Sequence, residues 1–388
     1  MDGNSLGRLP KAAVERARQN VEEEWGRDLI RGWNKGWWDA PIRIGEKIAQ
    51  LVGAAEGQVI VSDTTSVNLY KLTMAALTLH PGKKRIITDT MNFPSDLYIL
   101  QGCIQSLGNQ HEVIRIGSQD GEITPNLTEL ESAINEDTVL VSLSHVLFKS
   151  GYLYDMQKIT EMAHRKGALV LWDLSHSVGA VPIFLDEWDA DFAIGCTYKY
   201  LNGGPGAPAF LYVNKKWQDA VRSPMWGWWG QYEPFAFGLD YSPASGVQRF
   251  LSGSQPMLSM LTMEAALAPT IGAGIDRIRE KSIALSEYLI QLTDAILVPL
   301  GFSLGSPRDH EQRGSHVSIR HVDAYRINRA LIAEMNVIPD FRTPNNLRLG
   351  LAPLYTSFSE VWEVVDRIRK VFTEKRHEKY PQERLRVT

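Results

Sequence analysis

Lys199 stands between two tyrosines in GCTYKYLNGGPGAPAF (Gly195 to Phe210), and the glycines and prolines that follow at once forbid a helix. A lysine kept for solubility belongs on a helix face among other charges. In an apolar, glycine-rich turn, desolvation favours the neutral amine, and a neutral amine can form a Schiff base. Earlier in the chain the apolar run ALVLWDLSHSVGA leaves the sheet core at Asp173, with His176 close behind. A carboxylate at the carboxyl end of a buried parallel strand can hold a protonated ring nitrogen of a ligand, or simply cap a loop. SDTTSVNLYKL sets Thr65 and Ser66 where a strand turns into a helix. Hydroxyls and backbone N–H groups there can cradle a phosphate or serve as an ordinary cap. NFPSD, after the next strand, offers Phe93 as a face for a ring to lie on and Asp96 as a second carboxylate, although Phe93 alone reads as core.

These groups need a scaffold that brings strand ends together. QVIVSD, RIITD, HEVIRIG, TVLVSLSHV and ALVLWD alternate with helical runs, a βα repeat that predicts a mostly parallel sheet covered by helices, with ligands at the carboxyl ends of its strands. From about residue 257 the texture changes to long amphipathic helices with a strand, SHVSIRH, which predicts a smaller α+β domain. The expected division is an N-terminal segment 1–20 packed with the small domain, a large cofactor-binding domain 21–256 and a small C-terminal domain 257–388. The charged tail EKRHEKYPQERLRVT is expected to be frayed.

Composition narrows the function classes. With 388 residues, 44% apolar and 22% charged, the chain is long enough for a large enzyme with one main core and an annex. A net charge of -4 and a pI near 6.2 argue against nucleic acid or an anionic membrane as partner. Cys103 and Cys196 make neither a disulfide framework nor a zinc set, so no metal is expected and a reducing compartment suits the chain. The first residues hold no apolar signal core, and no stretch is expected to span a membrane, which needs about 20 apolar residues. The expected location is the cytoplasm.

The pairing of a strand-end aspartate with a lysine in the next strand-end turn resembles the cofactor frame of pyridoxal-phosphate enzymes of the aspartate-aminotransferase fold. A narrower resemblance rests on DGNSLG (Asp2 to Gly7), TSVNL, NFPSD, WDLSHSVGA, TYKYLNGGPGAPAF, GWWG (Gly227 to Gly230), RFLSGSQP and LRLGLAPLYTSF, which occur in this order. Over nearly the whole chain they resemble the kynureninases, fold type I enzymes of the class V aminotransferase-like group. DGNSLG and GWWG are the telling elements, because the wider fold shares the Asp and Lys pair. Kynureninases usually carry a further segment before this first element and have leucine where Met1 stands, which points to a truncated or late-assigned start.

The resemblance implies pyridoxal 5'-phosphate as cofactor, Lys199 as the lysine that carries it, Asp173 as the partner of its ring nitrogen and Phe93 as the stacking ring. Tyr198 would touch the phosphate and lie near the reacting carbons. Thr65, Ser66 and Ser144 would complete the contacts, with Asp96 and His176 beside them. Trp228 and Ser254 would reach the phosphate region from a neighbouring subunit, which implies a homodimer with shared sites. Arg348 would clamp the substrate's α-carboxylate with its planar fork. Ser5, Trp33, Trp229 and Gly253 would line the pocket for the substrate's aromatic ring. Taken alone, Arg348 reads as a surface ion pair and the tryptophans as packing.

The implied reaction is hydrolytic Cβ–Cγ cleavage of L-kynurenine to anthranilate and L-alanine, a step of tryptophan catabolism and of the kynurenine pathway toward NAD biosynthesis. Its water-activating base is not identified by the sequence. 3-Hydroxykynurenine stays open as a second substrate, because apolar pockets reject one added hydroxyl only weakly, while Trp33 favours kynurenine. Two other readings compete. A cysteine desulfurase or aminotransferase relative shares the fold, but a desulfurase needs a cysteine on a mobile loop, whereas Cys103 and Cys196 fall in a helix and a strand. A non-catalytic cofactor-binding regulatory protein would have no need of Lys199, Asp173 and Arg348 together.

Overall fold

Aliphatic and β-branched runs, each followed by a helix-forming stretch, build the larger unit. The computed structural model describes residues 1–383. After α1 (Lys11–Gln19) and α2 (Ala40–Val52), strand β1 (Val59–Val61) leads into α3 (Thr65–Leu79), β2 (Arg85–Asp89) into α4 (Pro94–Ser106), β3 (Glu112–Ile116) into α5 (Leu127–Ala133) and β4 (Thr138–Ser144) into α6 (Met156–His164). Strands β5 (Leu169–Asp173), β6 (Phe192–Gly195) and β7 (Phe210–Val213) complete a seven-stranded sheet in the order β1-β7-β6-β5-β4-β2-β3. From β3 through β6 every pairing is parallel, while β7 runs antiparallel to both β6 and β1. Every residue of β4, β5 and β6 is buried, as strands covered by helices on both faces require. Because β2, β4 and β5 point the same way, their last residues, Asp89, Ser144 and Asp173, share one edge of the sheet. Ser144 and Asp173 are direct neighbours in register.

The smaller unit is a four-stranded antiparallel sheet, β10-β11-β9-β8, formed by β8 (Ser303–Leu304), β9 (His316–Arg320), β10 (Asp340–Arg342) and β11 (Asn346–Gly350). After α7 (Met257–Ala266) and the short α8 (Ala268–Ala273), helices α9 (Ile275–Leu292), α10 (Ala324–Met335) and α11 (Phe358–Thr373) pack against it. Helix α11 starts at a capping box, in which Ser357 Oγ accepts from the Glu360 N–H and Glu360 returns the bond to the Ser357 N–H. The expected architecture, a large α/β domain with a mostly parallel sheet and a smaller α+β domain, is the one observed.

Three expectations about how the chain packs change. The core does not divide at 256/257, because Met260, Leu261 and Met263 of α7 are buried in the large-domain core and the small-domain core begins near Leu285. Helix α7 is apolar on several sides, so it needs the larger unit to cover it. The segment 1–20 also splits. Residues 1–7 join the small domain and the lysine loop through an Asp2 to Gly350 bridge and a Gly7 N–H to Tyr198 C=O bond of 2.8 Å, whereas α1 lies on α7. Finally, the tail is packed as far as it is described: His377 is buried and stacked on Phe372 at 5.3 Å, and Arg326 donates to the carbonyls of Glu378 and Tyr380. Its residues 384–388 lie outside the described residues.

Contrary to expectation, Ile275–Leu300 is long and apolar enough by composition to cross a membrane. Its apolar side, with Leu285, Leu289 and Ile290, is spent on the small-domain core.

Candidate active site

The loop after β6 carries Lys199. Asn202, Gly204 and Gly206 adopt φ of 58°, 86° and 74°, left-handed values that the two glycines accept without strain, so the chain turns sharply back toward β7. Gly7 seals this loop from the N-terminal side. A Cβ there would come within 2.2 Å of the Lys199 carbonyl oxygen, so only glycine permits the approach. Lys199 Nζ lies 3.0 Å from Nε2 of the buried His176. Asp173 accepts a 2.8 Å bond from the Ser175 N–H at the end of β5. Burial raises its carboxyl above the usual range, and the Lys199 charge pulls the other way. Burial also raises Asp96 well above that range, and the charge of Asp173 adds to the effect. Each of these two carboxyls thus disfavours charge on the other.

Ser144 donates a 2.6 Å bond to Asn92 Oδ1, and Asn92 also accepts from the Phe93 N–H. Ser144 thus holds the NFPSD turn in place next to Asp173. Phe93 is not core: it is 45% exposed at the N-terminus of α4, touching Phe148 edge to face at 5.3 Å. An open ring face beside a strand-end aspartate and a lysine suits a flat heteroaromatic ligand.

Thr64 caps α3, and Thr65 and Ser66 stand in its first turn, where N–H groups are unpaired and the helix dipole favours an anion. They line a cavity of about 390 Å³ together with Asp63, Tyr198 and Ser254. Ser254 therefore needs no second subunit to reach this region, a correction to the expected placement. Its loop folds back because Asp63 N–H donates to Gln255 and because buried Lys71 ties Asp63 to the Phe250 carbonyl. Tyr198 remains a phenol, since the adjacent Cys196, and then burial, raise its hydroxyl above the ordinary value.

Arg348, on β11, is buried. Its Nε donates to Asp340 Oδ1 at 2.9 Å, and Nη2 donates to Asp340 Oδ2 and, at 2.8 Å, to Ser5 Oγ. Nη1 donates to the Phe148 carbonyl. Four of the five guanidinium N–H groups are thus spent within the protein. The expected two-pronged grip on a substrate carboxylate is filled by Asp340, and one Nη1 N–H remains. Burial alone would raise the Asp340 carboxyl, but the charge and hydrogen bonds of Arg348, with the Arg342 charge and the Ser5 bond, together reverse this and hold it below its ordinary value. Ser5, expected at the substrate's ring, instead bridges Arg348 and Asp340, to which it donates at 2.6 Å. Asp340 lies in none of the motifs, so nothing along the chain pointed to it.

The expected ring-pocket tryptophans form a separate cluster. Trp229 is fully buried, 5.0 Å from Trp33 and stacked on Trp38 at 5.3 Å, and Trp228 lies 5.5 Å from Trp33. None of the described contacts of these rings is to Lys199, Asp173 or Arg348. The cluster is tied to the cavity through the 252–254 loop: Trp229 N–H donates to the Ser252 carbonyl, and a Cβ on Gly227 would come within 2.4 Å of that oxygen. Gly253, the next residue, is exposed with open space around it. Trp228 does not line the cavity of Thr65 and Ser66 within its own chain.

Both cysteines are free and buried, and burial pushes the Cys103 thiol up to about 12, so neither has the exposed, low-pKa environment of a nucleophile. Among the described residues no group of His, Cys, Asp and Glu is arranged to hold a metal ion.

Asp89 gives this edge of the sheet a pH dependence. Burial pushes its carboxyl up to about 6 from 3.8, against bonds donated by Tyr154 Oη (3.0 Å) and the Met91 N–H (2.6 Å). Between those two values the folded state keeps a proton that the unfolded chain releases. Stability is therefore lost as pH rises through the window, by about 3 kcal/mol in total from this group. Asp89→Asn, whose carboxamide still accepts from Met91, is expected to flatten that slope. Denaturant unfolding at pH 4, 5, 6 and 7 checks this, and an unchanged slope would contradict it.

Comparison with known proteins agrees with the geometry. The family model for the kynureninase C-terminal domain matches residues 278–368, and that of the DegT/DnrJ/EryC1/StrS aminotransferase family matches residues 33–182. A kynureninase of Pseudomonas fluorescens is 43% identical over 380 residues, 97% of this chain and 89% of that protein. A kynureninase of Burkholderia pseudomallei (strain 1106a) is 43% identical over 377 residues, covering 96% and 88%. Among solved structures, an apo cysteine desulfurase from Thermococcus onnurineus NA1 superposes with a TM-score of 0.81 at 18% identity, covering 96% of this chain and 94% of that one. A NifS-like protein superposes at 0.76, also with 18% identity, covering 96% and 98%. At such identity these two establish the fold alone. With near-full-length identity above 40% to two kynureninases and a matching C-terminal domain, this chain belongs to the kynureninase family.

Proposed function

We propose that the Lys199, Asp173 and Thr65–Ser66 groups hold pyridoxal 5'-phosphate and that the chain cleaves the Cβ–Cγ bond of L-kynurenine with water, giving anthranilate and L-alanine. The observation that carries this is the half-buried Lys199 against buried His176, with buried Asp173 at the same carboxyl edge of the sheet, in a chain of this family. The residues fit the cofactor: a ring-nitrogen acceptor in Asp173, an open ring face in Phe93 and an anion cradle at the start of α3. When bound, pyridoxal phosphate supplies an aldehyde that joins amines and a ring that accepts electrons.

The chain's own groups do the rest. Asp173 holds the ring-nitrogen proton, and Thr65, Ser66 and the first N–H groups of α3 take the phosphate. Arg348, with its remaining Nη1 N–H, orients the substrate's α-carboxylate. Lys199 Nζ, once free, removes the α-proton, and His176 Nε2 holds that nitrogen in line. Tyr198, kept protonated, gives its hydroxyl proton to the substrate's β-carbon after the bond breaks. A homodimer is part of this reading. It is supported by half-exposed Trp228, with Trp226, Phe235 and Phe237 exposed in the same segment, an apolar surface that a second copy of the chain would cover.

Protein supplied with pyridoxal phosphate is expected to release anthranilate and alanine from L-kynurenine in equal amounts. Cofactor bound through Lys199, as read by an absorbance band that borohydride removes, without any anthranilate would refute the reaction and leave the fold intact. Tyr198→Phe separates proton donation from phosphate binding. At saturating cofactor it is expected to release about one anthranilate per site quickly and then slow by about 10²- to 10⁴-fold, the usual worth of a positioned acid. A wild-type rate without a burst in rapid-quench measurements would leave Tyr198 as a phosphate contact.

A further inference from the structure

His316 opens β9, in the small domain, yet its ring centroid lies 5.4 Å from that of His176 in the large domain, with the rings at 57°. His316 has no exposed surface; its ring faces the Leu147 carbonyl, and neither ring nitrogen completes a hydrogen bond of ordinary geometry. His176 Nδ1 is also buried and unpartnered. Buried polar atoms are usually paired, and here two adjoining rings bring three unpaired nitrogens together. The register explains how His316 comes to be there. Residues 316 and 318 share one face of β9, and Ser318 is paired with Arg348, so His316 is on the side that carries the arginine.

Hydrogen-bond chemistry sets the direction of the chain. A lysine ammonium only donates, so His176 Nε2, 3.0 Å from Lys199 Nζ, must be the ring's acceptor when that nitrogen carries its proton. The His176 proton is then on Nδ1, which needs an acceptor of its own. Burial, and then the charges around it, keep His316 neutral, with its pKa pushed down to about 3. A neutral imidazole always has one accepting nitrogen.

Resting on the function proposed above, we infer that His316 accepts from His176 Nδ1–H, directly or through one water, and so fixes the tautomer with which His176 receives a proton-bearing Lys199 Nζ. His316 is a positioning residue that acts on Lys199 through His176, across the domain boundary. The charged and titratable groups facing this pair are Lys199 from the loop after β6, Arg348 from β11, and Asp340 and Arg342 from β10.

The test uses the holoenzyme and two variants, His316→Phe and His316→Gln. The readouts are the midpoint pH of the cofactor's absorbance change, the pH profile of kcat, KM for kynurenine and Tm. His316→Phe removes the acceptor and is expected to lower the spectral midpoint by about one pH unit, a typical effect of one hydrogen bond to a charged form. The acid limb of kcat should move with it and KM should stay near wild type. His316→Gln, whose carboxamide oxygen accepts from the same N–H, is expected to restore the midpoint. Should His316→Phe not fold, His316→Met, slimmer and equally without an acceptor, carries the same expectation. An unshifted midpoint in the apolar variant, or a glutamine variant shifted as far as the apolar one, would overturn the inference. Wild-type protein that shows no cofactor band would overturn the underlying function too, whereas a wild type with band and turnover confines the failure to His316.

Discussion

Lys199→Ala is expected to purify folded, to hold pyridoxal phosphate without the borohydride-sensitive band and to lose at least about 10⁴-fold in turnover, the upper range for one positioned acid-base group. The fold should tolerate the change, because the loop is shaped by Asn202, Gly204 and Gly206 and by the Gly7 bond to Tyr198, none of which involves the lysine side chain. The side chain's one described hydrogen-bonding partner is His176. The chemistry should not tolerate it, because no other amine is placed beside Asp173. Lys71 is fully buried and held by Asp63 and the Phe250 carbonyl, so it cannot substitute. Spectra before and after borohydride, together with anthranilate release, measure both halves. Turnover near wild type would remove Lys199 from the mechanism.

The second large effect is expected at Arg348. Arg348→Lys keeps the charge but offers three N–H groups from one atom, which cannot meet Asp340 at two oxygens, Ser5 and the Phe148 carbonyl at once. Losing even one hydrogen bond to a charged partner costs about 1.5–3 kcal/mol. A fall in kcat/KM of about 10²-fold or more is therefore expected, since each tenfold corresponds to about 1.4 kcal/mol. The same change should lower Tm, because the Asp340 carboxylate is buried and the residues around Ser5 lose an anchor. The cofactor band should be unchanged, since no described bond joins Arg348 to the Lys199 loop or to α3. Kinetics, thermal unfolding and the absorbance spectrum decide it together. A weakened cofactor spectrum with unchanged substrate affinity would place Arg348 in the cofactor site instead.

Much of this protein was legible along the chain. The alternation of aliphatic strands and helix formers, the strand-end position of Asp173, the helix start at Thr65 and the left-handed turn after Lys199 all depend on residues close in sequence, where periodicity, capping and glycine geometry act. The motif resemblance added the family, because it compares ordered local patterns and does not depend on how they fold together.

Contacts between distant segments were decided only by the tertiary structure. Ser5 meets Asp340 across 335 residues, and which of its N–H groups Arg348 leaves free follows from that meeting. Ser254 arrives at the cavity because Lys71 and Gln255 tie its loop to Asp63, and α7 joins the larger core because its apolar surface finds cover there. His316 sits in a strand that carries no catalytic motif, and only the closure of the small domain on the large one sets it against His176. Local sequence fixes backbone preference over a few residues, but the partner a side chain finds depends on which faces pack together, and that is a property of the whole chain's burial.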